Sequence, residues 1–194
     1  MDTIDIVCVG EVLVDFIGHQ EGVLINETRD YHRYLGGSPT NVAMNATRLG
    51  LNTVLVATVG NDGFGEYIKE RLSNNGISTS YLNVLEHKST SVIFVSRSET
   101  TPDFIPYREA DRCIYEDQVS SELLAKTKIF HTTCFALSKN PAQTTILNKA
   151  QEAFDKGCKL SIDLNYASKL WKSQKKAFKV IKDYCRFNPL IKIS

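Results

Sequence analysis

Along this chain short apolar runs alternate with stretches whose apolar residues recur at helical spacing. Ile4–Val9 is such a run, closes at Gly10, and reads as a buried strand. Val12, Val14 and Phe16 continue at period two, which puts Asp15 on the opposite face from them. Residues 17–30 are polar and turn-rich, and residues 31–35 suit a short strand. Gly36 and Gly37 then form a tight pair that lets the backbone turn and lie against a ligand. Ser38 is placed as an N-cap and Pro39 as the first helical residue. Val42, Ala43, Ala46 and Leu49 mark the core face of that helix, and Gly50 sits where a C′ glycine belongs. Residues 53–59 form a second buried strand. Asp62 is placed to cap a helix with Phe64, Ile68 and Leu72 inward and Gly76 as its stop.

The middle breaks this rhythm. Residues 91–96 and 103–107 read as two strands of a hairpin around a Ser/Glu/Thr/Pro turn, with no helix between them. Such an insertion often makes a lid or a second small sheet beside a site. Helices are then expected at 115–126, 142–156 (stopped by Gly157) and 174–187, with strands at 128–135, Lys159–Leu164 and 190–194. Strands alternating with helices argue for α/β architecture, a parallel sheet covered on both faces. The last strand has no covering helix after it, so the C-terminal part of the fold is expected to be missing.

Composition narrows the function classes. The net charge of +1 gives no bulk field to recruit nucleic acid or an anionic membrane. The lysines at 169, 172, 175, 176, 179 and 182 have the spacing of a solvated helix face. Five scattered cysteines without metal spacing, no signal peptide and no bilayer-length apolar run together predict a cytoplasmic protein.

The candidate chemistry gathers at expected carboxyl ends of strands, where open α/β sheets bind ligands. Asp15 can accept hydrogen bonds from two sugar hydroxyls, and Asn41, in the first turn of its helix, can reach the same ligand. Tyr107 offers a flat surface with a hydroxyl, and Arg108 a partner for carboxylate or phosphate. Asp163 and Asn165 close the strand at Lys159–Leu164 and can face phosphates or a metal-bound water. His131, without a ligand-spaced neighbour, reads as a hydrogen-bonded core residue. GNDGFG matches neither phosphate-loop pattern and reads as a turn with a cap. Ten of the eleven glycines lie within the first 76 residues, and none of their clusters forms a nucleotide phosphate cradle.

With these residues in place, the chain resembles the N-terminal portion of a PfkB-type, ribokinase-like carbohydrate kinase. GGSPTNVAMNATRLG, VGNDGFGEYIKERLSNNGI, SVIFVS, DFIPYREAD and IDLNYASKLW carry the resemblance, in that order. The later segments are most similar to the fructokinase and 2-keto-3-deoxygluconate kinase branch. The resemblance implies one ribokinase-like domain over 1–194, with lid strands from about 12–35 and 88–109. It implies phosphoryl transfer from ATP, with Mg²⁺, to a sugar hydroxyl. Asp15, Gly36, Gly37 and Asn41 match the sugar-holding positions, Tyr107 and Arg108 the lid contact, and Asp163 and Asn165 the segment beside the phosphates. It also implies a homodimer through the lid strands. Two departures stand out. Ala167 replaces the arginine of the family's D-x-N-x-R segment, and the D-T-x-G-A-G-D signature that supplies the catalytic base is absent. The base is therefore expected outside this chain, and no metal ligand is assigned. A non-catalytic sugar-binding remnant and a nucleoside kinase of the same family stay open as alternatives. An oxidoreductase is disfavoured because no GxGxxG follows the first strand.

Overall fold

The structure is a computed structural model that describes residues 3–98 and 103–193. The tip of the expected hairpin turn, residues 99–102, lies outside the described residues, as does Ser194. At the centre, β1 (Ile4–Val9) runs parallel to β4 (Thr53–Gly60) on one side and to β8 (Thr127–Thr133) on the other. β5 (Leu82–Leu85) extends the β4 side, while β9 (Lys159–Leu164) and β10 (Leu190–Ile193) extend the β8 side. The six strands lie in the order β10-β9-β8-β1-β4-β5. The chain thus winds outward from β1 in both directions, which opens a crevice at the carboxyl ends of the central strands.

Alternation along β1 divides the core. Val7 and Val9 join one apolar cluster with Phe130, Ile162 and the inward face of α4 (Ala142–Asp155). Ile6 and Cys8 join the other, with Ala43 and Ala46 of α1 (Ser38–Arg48) and Ile68 and Leu72 of α2 (Gly63–Asn74). A strand that is apolar on both faces requires cover on both faces, and the helices supply it. α5 (Gln174–Cys185) buries Ala177, Val180 and Tyr184, while Lys175, Lys176, Lys179 and Lys182 face solvent as their spacing predicts.

A second sheet stands at the carboxyl ends of the first. Its order is β3-β2-β6-β7: β3 (Tyr31–Gly36), β2 (Leu13–Glu21), β6 (Val92–Arg97) and β7 (Phe104–Tyr107). β6 and β7 pair antiparallel, as the hairpin expectation requires. The register sorts the side chains. Asp15 lies opposite Tyr34 and Ile93, and Ile93 opposite Pro106. Phe16 lies opposite Arg33 and Phe94 on the other face, where Phe16 and Phe94 stack at 5.0 Å and Phe16 meets Phe64 of α2 edge-on.

Three local expectations are corrected and one strand is added. β2 continues through the polar stretch to Glu21, because β3 and β6 pair with it from both sides and ladder bonding outweighs composition. The expected helix over 115–126 is a 3-10 turn at Glu116–Gln118 followed by the short α3 (Ser121–Ala125). Ser120 caps α3 by accepting from the Leu123 N–H, restarting the chain after the turn. Gly37, not Ser38, is the N-cap of α1, and Leu49 is its C-cap, 82% exposed rather than in the core. β5, four residues long, carries too short a pattern to be anticipated.

Asp62 does cap α2, its Oδ1 accepting from Phe64 N–H at 3.0 Å and Gly65 N–H at 2.9 Å. Its Oδ2 accepts from Thr90 N–H at 2.7 Å, tying the helix start to the segment that enters β6. Asp62→Ala should lower stability by about 1–2 kcal/mol, read as a shifted urea midpoint with an unchanged m-value. A loss below about 0.3 kcal/mol would show that the cap contributes nothing net.

Candidate sugar site at the glycine loop

Asp15 sits on β2, half-buried, with its carboxylate over Gly36. A Cβ on Gly36 would lie 2.2 Å from Asp15 Oδ2 and 2.7 Å from Leu13 Cδ1, so only glycine leaves room for this acid. Burial pushes the Asp15 carboxyl up to about 6. Gly37 follows with φ 106°, a left-handed conformation, and its missing Cβ would meet the Glu11 carbonyl oxygen at 2.3 Å. α1 starts there, and Asn41 N–H donates to Gly37 O at 2.9 Å. The Asn41 side chain is exposed at this end of the helix. The structure therefore brings Asp15, Gly36, Gly37 and Asn41 together around one turn.

Glu11 is a functional candidate that the sequence reading missed. It is 2% exposed, directly behind the glycine turn. Its Oε1 accepts from Ser38 N–H at 3.2 Å, its Oε2 from Thr133 Oγ1 at 2.7 Å, and its carbonyl from Thr40 Oγ1 at 3.2 Å. Burial pushes its carboxyl up to about 7, opposed by the Thr133 hydrogen bond and the Arg108 charge. The signal was an acid set between Gly10 and the apolar run Val12, Leu13, Val14, where a solvated carboxylate has no reason to be.

The end of β9 reaches the same turn. Asp163, 4% exposed, accepts from Ser38 Oγ at 2.8 Å and from Lys192 Nζ at 3.1 Å. Asn165 accepts from Phe135 N–H at 3.0 Å. Both lie at the carboxyl edge, and Asp163 is joined to the glycine loop through Ser38.

The two lid residues differ in what holds them. Tyr107 lies opposite Val92, hence on the Phe16 face of the small sheet and away from Asp15, and is 60% exposed. Arg108 turns inward. Its Nε and Nη2 donate to Asp111 Oδ2 at 2.8 and 2.6 Å, and its Nη1 to Phe135 O at 3.3 Å and Ser138 Oγ at 2.5 Å. The guanidinium also lies 3.9 Å over the Phe135 ring, and the pair's side chains are 5% and 0% exposed. Asp111 in turn accepts from Ser91 Oγ at 2.5 Å. A cavity of about 940 Å³ opens beside Tyr107, lined also by Arg33, Phe64, Arg108 and Arg112, on the sheet face opposite Asp15.

His131 is a core residue as expected, its Nδ1 3.0 Å from Ser161 Oγ. Burial pushes it down to about 4, so it stays neutral at ordinary pH. Among the described residues no group of three or more His, Cys, Asp or Glu side chains is arranged to hold a metal ion. No described helix is long and apolar enough to cross a membrane.

A half-buried acid over paired glycines lies where a parallel α/β sheet reverses its winding, the place at which open sheets of this class bind ligands. Comparison with known proteins makes this specific. The pfkB family carbohydrate kinase model matches residues 3–190, and the chain belongs to that family. It is 36% identical over 168 residues to the ATP-dependent 6-phosphofructokinase of Thermoanaerobacterium thermosaccharolyticum, spanning 86% of this chain and 51% of that enzyme. Its fold is similar to that of Halothermothrix orenii fructokinase, with TM-score 0.87 and 34% identity over 93% of this chain and 64% of the other. It is also similar to a sugar kinase from Pyrococcus horikoshii, PH1459, solved in complex with ATP. There the TM-score is 0.88 at 29% identity, over 94% of this chain and 60% of the other. The chain spans about half the length of the curated relatives it matches.

Proposed function

We propose that this chain carries the sugar-recognition part of an ATP-dependent sugar kinase, an enzyme that moves the γ-phosphoryl of ATP to a sugar hydroxyl. The seating of the Asp15 carboxylate over Gly36 supports this most strongly. An ionised acid there accepts from two neighbouring hydroxyls, while Gly36 and Gly37 let the sugar ring approach the backbone. Asn41 adds an amide at the helix start. The small sheet acts as the lid of a ribokinase-like domain, closing over the sugar and excluding water. Asp163 and Asn165 border the phosphates. In such transfer, positioning and charge stabilisation do most of the work, and these residues position. Mg²⁺ would arrive with the nucleotide and neutralise phosphate charge; no residue of this chain is assigned to it.

The base belongs to a D-T-x-G-A-G-D segment that these 194 residues do not contain. The chain alone is therefore expected to bind sugar without turnover. An ADP-release assay with MgATP and fructose, ribose, 2-keto-3-deoxygluconate and adenosine tests this. Turnover that tracks the purified chain would overturn the assignment of the base, and a response to adenosine alone would favour a nucleoside kinase. A homodimer through the lid strands also belongs to this reading, supported by the edge strand β7 with Ile105 41% and Tyr107 60% exposed. So does a cytoplasmic setting, supported by five cysteines that are all free thiols.

Calorimetric titration with fructose across pH tests the role of Asp15. Its folded value, raised to about 6, means the carboxylate is mostly protonated below that pH. Sugar affinity should therefore rise as pH increases through about 6 and level off above it. Asp15→Asn should weaken binding about tenfold or more and remove that rise. The same shift costs stability. Between the ordinary carboxylate value and 6 the folded chain keeps a proton that the unfolded chain releases, so Asp15's contribution declines as pH rises. The Asn variant should thus melt no lower than the parent at neutral pH. A variant that binds fructose normally would sink the sugar-site reading.

A further inference from the structure

We infer that the cavity between the small sheet and the start of α2 is a second binding site, for a small phosphate monoester carried on a flat ring. It lies on the sheet face opposite Asp15, so a ligand there is separate from one held at the glycine turn. At about 940 Å³ it falls in the size range of pockets that enclose small molecules. Its walls come from distant parts of the chain: Arg33 on β3, Val92 on β6, Tyr107 at the end of β7, Phe64 in the first turn of α2, and Arg112 in the 3-10 turn Ala110–Arg112. Aromatic side chains receive the ring. Phe64 meets Phe16 edge-on at 5.5 Å, Phe16 stacks on Phe94 at 5.0 Å, and Phe94 meets Tyr107 edge-on at 6.0 Å. This aromatic run enters the cavity at both of its ends, and Tyr107, 60% exposed, keeps a bare face on which a ring can pack.

The charges select the phosphate. Three arginines and two acids line the cavity. Asp62 already accepts from the backbone N–H groups of Phe64, Gly65 and Thr90. Glu109 accepts from Lys88 Nζ at 3.2 Å and from Ser89 N–H at 2.8 Å. Arg108 is held by Asp111 and Ser138, so it adds a fixed wall and no free charge. Arg33 and Arg112 remain, and neither has a carboxylate partner among the described residues. Arg33 lies 3.9 Å over the Tyr67 ring, and Arg112 reaches the Asn140 carbonyl at 3.4 Å. Two such guanidinium groups on one cavity repel each other, and a phosphate dianion replaces that repulsion with charge-assisted N–H···O bonds to both. A ligand gripped by Arg33 and Arg112, with its ring against Phe64, fastens the small sheet to α2. The site is thus placed to set where the small sheet stands.

The test is calorimetric titration of the 194-residue chain with phenyl phosphate, beside phenol for the ring alone and inorganic phosphate for the charge alone. Phenyl phosphate should bind with a dissociation constant of about 1 mM or tighter, and each half at least about tenfold more weakly. Raising sodium chloride from about 20 to about 300 mM should weaken its binding severalfold. Arg33→Gln and Arg112→Gln should each lower the affinity about tenfold while the free chain melts within about 2 °C of the parent. Should one variant not fold, the other decides. Asp15→Asn should leave phenyl phosphate binding unchanged, and excess fructose should not displace it. Binding that survives both arginine substitutions, that Asp15→Asn abolishes, or that fructose displaces would overturn the inference, as would no binding to the folded chain. Inorganic phosphate binding as tightly as phenyl phosphate would overturn the assignment of the ring. The sugar-site reading stands or falls separately, on the affinity for fructose.

Discussion

Gly37→Ala is expected to destabilise the chain by roughly 2–4 kcal/mol and to remove sugar binding from the fraction that folds. Two penalties act together. The backbone at Gly37 has φ 106°, which side-chain-bearing residues rarely adopt. The new Cβ would also sit 2.3 Å from the carbonyl oxygen of Glu11, a backbone atom in the buried link between β1 and β2. Gly50→Ala separates the two effects. Gly50 has φ 84°, yet nothing lies within 4 Å of its added Cβ. It should cost only about 1–2 kcal/mol, the conformational part. Urea denaturation of both variants gives the difference. Equal losses at the two positions would mean that the close approach to Glu11 contributes nothing.

Arg108→Leu is the second large effect, a loss of about 3–5 kcal/mol. The substitution leaves Asp111 charged, buried and without its cation, and also strips donors from Phe135 O and Ser138 Oγ. Adding Asp111→Asn should restore much of the loss, because Ser91 can still bond the amide and the uncompensated charge is gone. A double-mutant cycle on urea midpoints measures the coupling. Full additivity of the two losses would show that the ion pair does not act as a unit in the fold.

The parts of this molecule that were legible in the sequence are those whose reason is local. β1 announces itself because a strand buried on both faces is apolar in nearly every position, and β9 because Leu160, Ile162 and Leu164 recur at period two. Asp15 was legible because period two puts it opposite Val14 and Phe16, and the register keeps that assignment. Gly50, Gly76 and Gly157 all take positive φ at helix ends. The rest depends on partners far away in the chain. Glu11 stands out in an apolar run, but what holds it shows only when β8 brings Thr133 to it. Tyr107 and Arg108 are neighbours that line one cavity, yet Tyr107 is open on the Phe16 face while Arg108 is held by Asp111 and Ser138. Ser38 has the chemistry of a cap, but Glu11 and Asp163 claim its N–H and hydroxyl, and the cap position passes to Gly37.

The bond from Ser38 to Asp163 joins residues 125 apart in the chain. The bond from Thr133 to Glu11 spans 122. On a ribosome the glycine turn therefore emerges long before either clamp exists. At about 5–20 residues per second it waits on the order of ten seconds for the strands that will hold it. Through that interval α1 and its neighbours can pack against β1 and β4 while the loop stays loose. The candidate site is in this sense assembled late, set only when β8 and β9 have docked.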